Sequence, residues 1–145
     1  MADPSKVVLD TNVVLDFLDS TRAEHSTAVA LVTALVTVGT DMCVAATSLK
    51  DIYYVLTRAS GEPVARHAVT TLTQTMTIMA VDSTTCDDAL TNGEPDFEDA
   101  LVLACAATGA ADCIVTRDRA AFLGSVVPKT EPAVLCAQLQ QVVEP

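Results

Sequence analysis

Four aspartates stand where an α/β chain concentrates its chemistry. Asp10 ends the predicted strand VVLD, Asp118 ends IVTRD, Asp51 lies in TSLKD and Asp99 lies in PDFEDA. Because strand ends and helix starts meet at one edge of a parallel sheet, we expect these side chains to converge there. Four carboxylates at close range repel one another unless a positive charge lies among them. The pattern therefore predicts a metal-dependent enzyme, and the hard oxygen ligands favour Mg²⁺ or Mn²⁺ over zinc.

Each aspartate taken alone has an ordinary alternative explanation: Asp10 can merely end a strand, and the others can belong to helix caps. Asp51 completes a Ser-x-x-Asp sequence that is typical of a capping box. Asp96 is a natural N-cap that places Asp99 in the first helical turn, and Asp118 can cap a short helix that includes residues 120–122. Capping alone, however, does not require aspartate at every one of these positions, so the four together favour a shared site.

Short buried strands that alternate with longer helices must position these aspartates. The strand candidates are continuous apolar runs, as expected for parallel strands covered on both faces. We predict a three-layer α/β/α sandwich around a central parallel sheet of about five strands. The predicted strands are residues 6–9, 42–45, 77–81, 113–116 and a short fifth at 126–127. The predicted helices are residues 21–38, 48–58, 63–74, 84–90, 96–107 and 131–143.

Length and charge limit the class of protein. Residues 1–145 are the size of one domain. The net charge is −11, from 19 acidic and 8 basic residues, which excludes a strong non-specific nucleic-acid binder with a basic face. Subtracting the four named aspartates leaves −7, so acidity is also spread over the surface. Solubility explains that surplus, and a basic partner segment is a second explanation.

Five cysteines indicate neither a zinc site nor a disulfide framework. No C-x-x-C pair occurs, and most of these cysteines lie in apolar runs such as VLACAA and AVLCAQ. We interpret them as small buried hydrophobic residues in a reducing compartment. The N-terminal sequence MADPSKVVLD is not a signal peptide, and AVALVTALVTV is too short to span a bilayer. We therefore expect a cytoplasmic protein without a membrane segment.

Three sequence blocks resemble the PIN-domain nucleases, and in particular the compact VapC-type toxins of prokaryotic toxin–antitoxin pairs. They are VVLDTNVVLDFL, TSLKDIYYVLTR and DFEDALVLACAATGAADCIVTRD. The DTN opening alone is a weak signal, but together with DFEDAL and IVTRD it is fairly specific. The resemblance extends over nearly the whole chain and implies a PIN-like fold over residues 1–145.

The resemblance also implies roles for individual residues. Asp10, Asp99 and Asp118 match the positions that hold the metal. Asp51 matches a position where the family usually has glutamate. Asn12 and Thr116 match the small polar residues that support the site, and Asp96 matches an accessory acid. Asp51 is one methylene shorter than the usual glutamate and loses roughly 1.5 Å of reach.

The activity implied by the resemblance is metal-dependent endoribonuclease cleavage, with Mg²⁺ or Mn²⁺ as cofactor and RNA as substrate. An antitoxin protein is the implied partner. Dimerisation is common among similar proteins, so a homodimer is expected. The apolar segment 21–38 can contribute to such an interface, and it can equally belong to the core.

Weaker candidates surround this set. Arg58, Arg117 and Arg119 can hold phosphates near the cleft, although exposed arginines more often form surface ion pairs. Tyr53 and Tyr54 can stack on bases, and at least one of them is expected to be core. The sequence also has Glu98 beside Asp99; adjacent helix positions point about 100° apart, so one of the two should face the site squarely. His25 and His67 are predicted surface residues.

Two other functions compete with the nuclease. In a phospho-receiver switch, Asp82, Thr116 and Lys129 would follow the third, fourth and fifth strands in the required order. Against this, the first strand ends in a single aspartate rather than an acidic pair, and DFEDAL is left unexplained. The second alternative is a catalytically silent PIN-like domain that acts as a binding module, which the shorter Asp51 and the acidic surface both allow.

Overall fold

The computed structural model describes residues 3–143, in which five strands and seven helices are present. The strands are β1 Lys6–Leu9, β2 Asp41–Ala45, β3 Thr77–Met79, β4 Cys113–Val115 and β5 Lys129–Thr130. The helices are α1 Thr11–Leu18, α2 His25–Val38, α3 Ala46–Ser60, α4 Glu62–Thr75, α5 Ser83–Thr91, α6 Phe97–Thr108 and α7 Pro132–Val143.

All strand pairs are parallel, and the strands lie in the order β3-β2-β1-β4-β5. β1 is central, since Val8 pairs with Cys43 of β2 on one side and with Ile114 of β4 on the other. Asp10 and Thr116, which directly follow β1 and β4, therefore meet at the same edge of the sheet. The predicted α/β/α sandwich with a five-stranded parallel sheet is confirmed.

Successive residues of the central strand pack into different hydrophobic layers. Val7 and Leu9 join a cluster with residues of α1, α2, α3, α4 and α7. Val8 joins a second cluster with Val102 and Leu103 of α6. A strand that alternates between two buried faces must be covered on both sides, which explains why its sequence is a continuous apolar run.

The connection between β1 and β2 contains two helices where the sequence predicted one. α1 begins at Thr11, because the Asp10 carboxylate accepts the Thr11 N–H. α1 ends at Leu18, and in the turn that follows, the Asp19 carboxylate accepts hydrogen bonds from both the backbone N–H and the hydroxyl of Thr21. The prediction of a helix from residue 21 was wrong for this reason, and α2 starts only at His25.

One face of α2 belongs to the core. Its buried residues are Ala28, Leu31, Val32 and Leu35, and the helix packs on α1 and α7. The helix ends at Gly39, whose φ of 79° is the left-handed conformation that glycine adopts without strain. Among the described helices, none is long and apolar enough to cross a bilayer.

Two predictions near the C-terminal end of the sheet were wrong. The fifth strand is Lys129–Thr130 rather than residues 126–127, because the bonds to β4 run from the Ile114 N–H to the Pro128 carbonyl and from the Thr116 N–H to the Thr130 carbonyl. Residues 120–122 form turns instead of a helix. The third strand is also shorter than predicted and ends at Met79.

The described cysteines are all free thiols, and Cys43, Cys105 and Cys136 are buried. Burial raises the pKa of the Cys43 and Cys113 thiols to about 11. These two thiols are therefore protonated at neutral pH and contribute packing rather than reactivity, as the sequence indicated.

Candidate active site

A cleft of about 480 Å³ lies at the carboxyl edge of the sheet, lined by acidic side chains from four separate elements. Asp10 follows β1, Asp51 lies on α3, Asp99 lies on α6 and Asp118 follows β4. All four line this one cleft, and Glu98 joins them. The convergence expected from parallel-strand topology is therefore present in the structure.

Asp10 is the most buried of these carboxylates, with 7% of its surface exposed. Its backbone N–H donates to the Val115 carbonyl, which fixes the chain beside β4. Oδ1 accepts the Thr11 N–H at 2.9 Å, and Oδ2 accepts the Thr116 hydroxyl at 2.8 Å. Burial raises the pKa of Asp10, and these two hydrogen bonds act in the opposite direction. The carboxylate is thus held in a defined orientation at the base of the cleft.

Thr116 connects the first aspartate to the last. Besides donating to Asp10, its hydroxyl oxygen accepts the Asp118 N–H at 3.0 Å and the Asn12 amide N–H at 3.4 Å. Asn12 Oδ1 in turn accepts the Arg117 N–H at 3.3 Å. Asn12 lines the cleft, whereas Thr116 is almost fully buried. Asn12 and Thr116 thus tie the segments that follow β1 and β4 to each other.

Asp118 is presented by a tightly held loop. Its Oδ1 accepts the N–H groups of Ala120 and Ala121, so the aspartate caps a turn. From β5, Lys129 Nζ donates to the carbonyls of Asp118, Arg119 and Ala121 at 3.0, 3.0 and 2.6 Å. Asp118 Oδ2 has no hydrogen-bond partner among the side chains that the structure describes, residues 3–140, and this oxygen is available to a ligand.

Asp99 lies in the first turn of α6, where Asp96 is the N-cap and accepts the Asp99 N–H at 3.1 Å. The capping explanation therefore holds for Asp96, which does not line the cleft. Burial, followed by the charges of Asp10, Asp96, Asp118 and Glu94, raises the pKa of Asp99 from its ordinary value of 3.8 to about 7. The neighbouring carboxylates therefore add to the effect of burial on Asp99.

This raised pKa predicts how the stability of the metal-free protein depends on pH. Between about pH 4 and pH 7 the folded protein holds a proton on Asp99 that the unfolded chain has lost, so the free energy of unfolding falls as pH rises. Asp99→Asn should remove part of that fall, about 1 kcal/mol once solvent screening of this half-buried group is counted. Urea unfolding in EDTA at about pH 5 and about pH 8 measures this difference. Glu98→Gln on the same turn is the control, and equal pH dependence in wild type and Asp99→Asn would contradict the expectation.

Asp51 does not belong to a capping box. α3 begins at Ala46, its N-cap is Ala45, and no side chain caps it. Because the helix starts two residues earlier than predicted, Asp51 lies in the second turn and its side chain lines the cleft. The capping explanation was wrong for this residue.

The cleft suits a hard divalent cation because carboxylate oxygens line it and no histidine or cysteine is among the described residues that line it. Over the described part of the chain, however, no three His, Cys, Asp or Glu side chains form a ready-made coordination cluster. The carboxylates line the same cleft, but they are not close enough to one another to form a complete coordination site. The free Asp118 Oδ2 and the neighbouring carboxylate charges, which add to burial in raising the pKa of Asp99, both fit a cation at this place.

Basic residues also line the cleft, and the sequence analysis missed them. Arg22 comes from the turn between α1 and α2, and Lys50 comes from α3 beside Asp51. The sequence signal that could have found Arg22 is Asp16, which interrupts the apolar run VVLDFL of α1. In the structure Asp16 is 2% exposed and accepts hydrogen bonds from Arg22 and Arg117. A buried acid in an apolar helix face requires a basic partner nearby.

The arginines and tyrosines proposed as weaker candidates lie in different surroundings in the structure. Arg117 pairs with Asp16 and lines a neighbouring pocket of about 230 Å³ together with Arg119. Arg58 stacks over the exposed Tyr54 ring, and Tyr53 packs against the core as expected for one of the two tyrosines. Of the adjacent acids on α6, both line the cleft, but only Asp99 is half-buried.

The histidines lie outside the cleft. His67 is exposed, as predicted. His25 is partly exposed, and its Nδ1 lies 2.8 Å from the Asp16 carbonyl oxygen.

A phospho-receiver site is excluded by the strand order. Asp82 follows β3 at one edge of the sheet, and Lys129 lies on β5 at the opposite edge. Asp82 caps α5 together with Thr85, while Lys129 is bonded to the loop after β4. In a receiver the corresponding strands are neighbours around a shared switch point, which this topology does not allow.

Comparisons with known proteins agree with this topology. A family model described as PIN domain matches residues 6–120. A comparison with curated protein sequences finds no significant match.

Solved structures with a similar fold include three prokaryotic proteins. VapC20 from Mycobacterium tuberculosis, described as a Sarcin-Ricin loop cleaving toxin, is 17% identical with a TM-score of 0.61, covering 74% of this chain and 86% of that one. VapBC2 from Rickettsia felis, bound to a promoter DNA fragment, is 10% identical with a TM-score of 0.69, covering 87% and 98%. A toxin–antitoxin complex from Klebsiella pneumoniae is 18% identical with a TM-score of 0.66, covering 87% and 97%. At such low identity the likeness concerns the fold, but the family model matches most of the sequence, and the chain therefore belongs to the PIN domain family.

Proposed function

We propose that this protein is a metal-dependent endoribonuclease that cleaves RNA phosphodiester bonds with Mg²⁺ or Mn²⁺. The observation that carries the proposal is the single cleft lined by Asp10, Asp51, Asp99 and Asp118 in a PIN-family chain. Burial, and after it the neighbouring carboxylate charges, raise the pKa of Asp99, and the contribution of these charges supports the proposal because a divalent cation offsets repulsion between acids that share a cleft.

In this proposal Asp10, Asp99 and Asp118 hold the cation. When bound, it supplies an activated water nucleophile and stabilises negative charge on the phosphate oxygens. Thr116 orients the Asp10 carboxylate through its hydroxyl, and Asn12 fixes the segment before Asp118. Asp96 acts on the site as the N-cap of the helix that presents Asp99, and as a nearby charge.

An RNA cleavage assay tests the function directly. Wild-type protein is incubated with single-stranded and hairpin RNAs in Mg²⁺, in Mn²⁺ and in EDTA. A Sarcin-Ricin loop RNA is included because one similar structure is described as a Sarcin-Ricin loop cleaving toxin. Endonucleolytic products in Mg²⁺ or Mn²⁺ and none in EDTA support the proposal. A folded protein that binds Mn²⁺ but leaves every RNA intact contradicts it for these substrates.

Asp51 is proposed to contribute to the cation site despite its short side chain. Asp51→Ala should lower kcat by about 10- to 100-fold, the usual effect of a residue that tunes a metal site without being its main ligand. Asp51→Glu restores the length usual in the family and should be at least as active as wild type. Steady-state rates at several Mn²⁺ concentrations measure both, and wild-type activity in Asp51→Ala would remove this residue from the mechanism.

The partners are also proposals. Two of the similar solved structures are toxin–antitoxin assemblies, which supports an antitoxin protein as the partner of this chain. A basic segment of such a partner suits a protein with a net charge of −11. We further propose a cytoplasmic homodimer, and size measurement at several concentrations tests the dimer.

A silent binding module is the second candidate function. The shorter Asp51 favours it, because a missing methylene weakens one ligand position. The absence of a ready-made coordination cluster over residues 3–143 points the same way. The module predicts RNA or protein binding that is independent of Mg²⁺ and Mn²⁺, whereas the enzyme predicts products that require the cation.

A further inference from the structure

Arg22 occupies an unusual place for a basic residue of this acidic protein. It lies in the turn between α1 and α2, with 30% of its side chain exposed, and lines the same cleft as Asp10, Asp99 and Asp118. A guanidinium in the wall of a cleft that holds several acids needs an explanation beyond solubility.

Buried Asp16 fixes the orientation of this guanidinium. Asp16 Oδ1 accepts the Arg22 Nε–H at 2.9 Å, and Asp16 is only 2% exposed. This bond uses one of the five N–H donors of the arginine. Among the described side chains, those of residues 3–140, neither Nη1 nor Nη2 of Arg22 donates to a protein acceptor. Four donors of a positioned, planar group are therefore available to a ligand in the cleft.

The charge of this cluster also favours an anion. Asp16 is shared between Arg22 and Arg117, so one negative charge faces two positive charges and the trio carries +1. By contrast, the surface pair Arg66–Glu62 is neutral. The trio is thus a fixed positive group beside the carboxylates.

We propose that Arg22 binds a phosphate group of the RNA backbone in the carboxylate cleft, an inference that rests on the proposed function. RNA that enters this cleft meets the charges of Asp10, Asp51, Asp99 and Asp118, and a single cation does not neutralise all four. The guanidinium fork matches two phosphate oxygens, and Asp16 holds it in place before RNA arrives. A preoriented side chain loses less conformational entropy on binding than a free one.

A purely structural role is the alternative, since the Asp16 cluster also ties α1 to the segment after β4 through Arg117. The two roles differ in what Arg22→Ala changes. Loss of a phosphate contact raises KM and flattens the salt dependence of kcat/KM, whereas loss of a structural tie lowers the melting temperature alone.

The test compares Arg22→Ala with Arg66→Ala, an exposed arginine of α4 outside the cleft. With Mn²⁺ and a single-stranded RNA, Arg22→Ala should raise KM about 10- to 100-fold. It should also reduce the slope of log kcat/KM against log salt by about 0.7, the value for one phosphate contact on a single strand. Arg22→Lys keeps the charge without the fork and should recover the salt slope but only part of the affinity. Arg66→Ala should match wild type in each measurement.

RNA binding in Ca²⁺, followed by fluorescence anisotropy, separates this inference from the proposed activity. If wild type binds RNA without cleaving it in Mn²⁺ and Arg22→Ala weakens that binding, the phosphate contact stands and the enzymatic function falls. If wild type cleaves RNA and Arg22→Ala keeps the wild-type KM and salt slope, the phosphate contact of Arg22 is overturned and the enzymatic function stands. If wild type neither binds nor cleaves RNA, both are overturned.

Discussion

Asp10→Asn is expected to lower the rate of RNA cleavage by at least ~10³-fold, because a metal ion contributes several kcal/mol to transition-state stabilisation and each 1.36 kcal/mol is a factor of ten. Asp10 is the most buried carboxylate of the cleft and is held by both Thr11 and Thr116. Asparagine keeps the size of the side chain and one acceptor oxygen but loses the charge that attracts the cation. The loss should therefore appear in kcat, while the fold is retained.

A matched variant separates this effect from a general loss of acidity. Asp87 is an exposed aspartate of α5 that does not line the cleft. Asp87→Asn changes the net charge by the same amount and should cleave RNA at the wild-type rate. Circular dichroism and thermal melting confirm that both variants are folded. Cleavage by Asp10→Asn within about tenfold of wild type would remove this residue from the proposed cation site, because a tenfold change is only 1.36 kcal/mol.

Asp16→Ala is expected to destabilise the protein by about 3 kcal/mol, the lower end of the range for breaking a buried ion pair. Asp16 is 2% exposed and accepts bonds from Nε and Nη2 of Arg117 and from Nε of Arg22. Alanine leaves both guanidinium groups without their shared partner inside the fold. The cost stays at the lower end because both arginines are partly exposed and can regain water. For a chain of this size the melting temperature should fall by roughly 10 °C.

The surface pair Glu62–Arg66 provides the control. Glu62→Ala removes an ion pair of similar geometry, 2.8 Å between Arg66 Nε and Glu62 Oε1, on an exposed helix face. Such i,i+4 pairs contribute about 0.3–0.5 kcal/mol, so this variant should melt close to wild type. Equal melting temperatures for Asp16→Ala and Glu62→Ala would show that burial of Asp16 contributes nothing to stability.

The sequence predicted the parts of the site that follow from strand polarity. Asp10 and Asp118 stand at the ends of apolar runs that parallel pairing brings side by side, so their convergence needs no long-range information. Asp99 followed from its place in the first turn of a helix beside those strands. The three-layer fold followed from the alternation of buried strands with helices.

The remaining features depend on tertiary contacts that no local pattern contains. Asp16 is one polar residue in an apolar run, and only the packing of α1 shows that it is buried between two arginines. Lys129 was weighed for a receiver site, yet its ammonium holds the loop of Asp118 through three carbonyls. The division between α1 and α2 depends on one Asp19–Thr21 turn, which outweighs the apolar pattern on either side.

Anomalous diffraction from crystals soaked in Mn²⁺ locates the cation relative to the carboxylates. We expect a manganese peak in the wild-type cleft, coordinated by Asp10, Asp99 and Asp118, and no such peak in Asp10→Asn. If the wild-type cleft shows no manganese peak at a Mn²⁺ concentration that supports RNA cleavage in solution, the four aspartates do not share a cation.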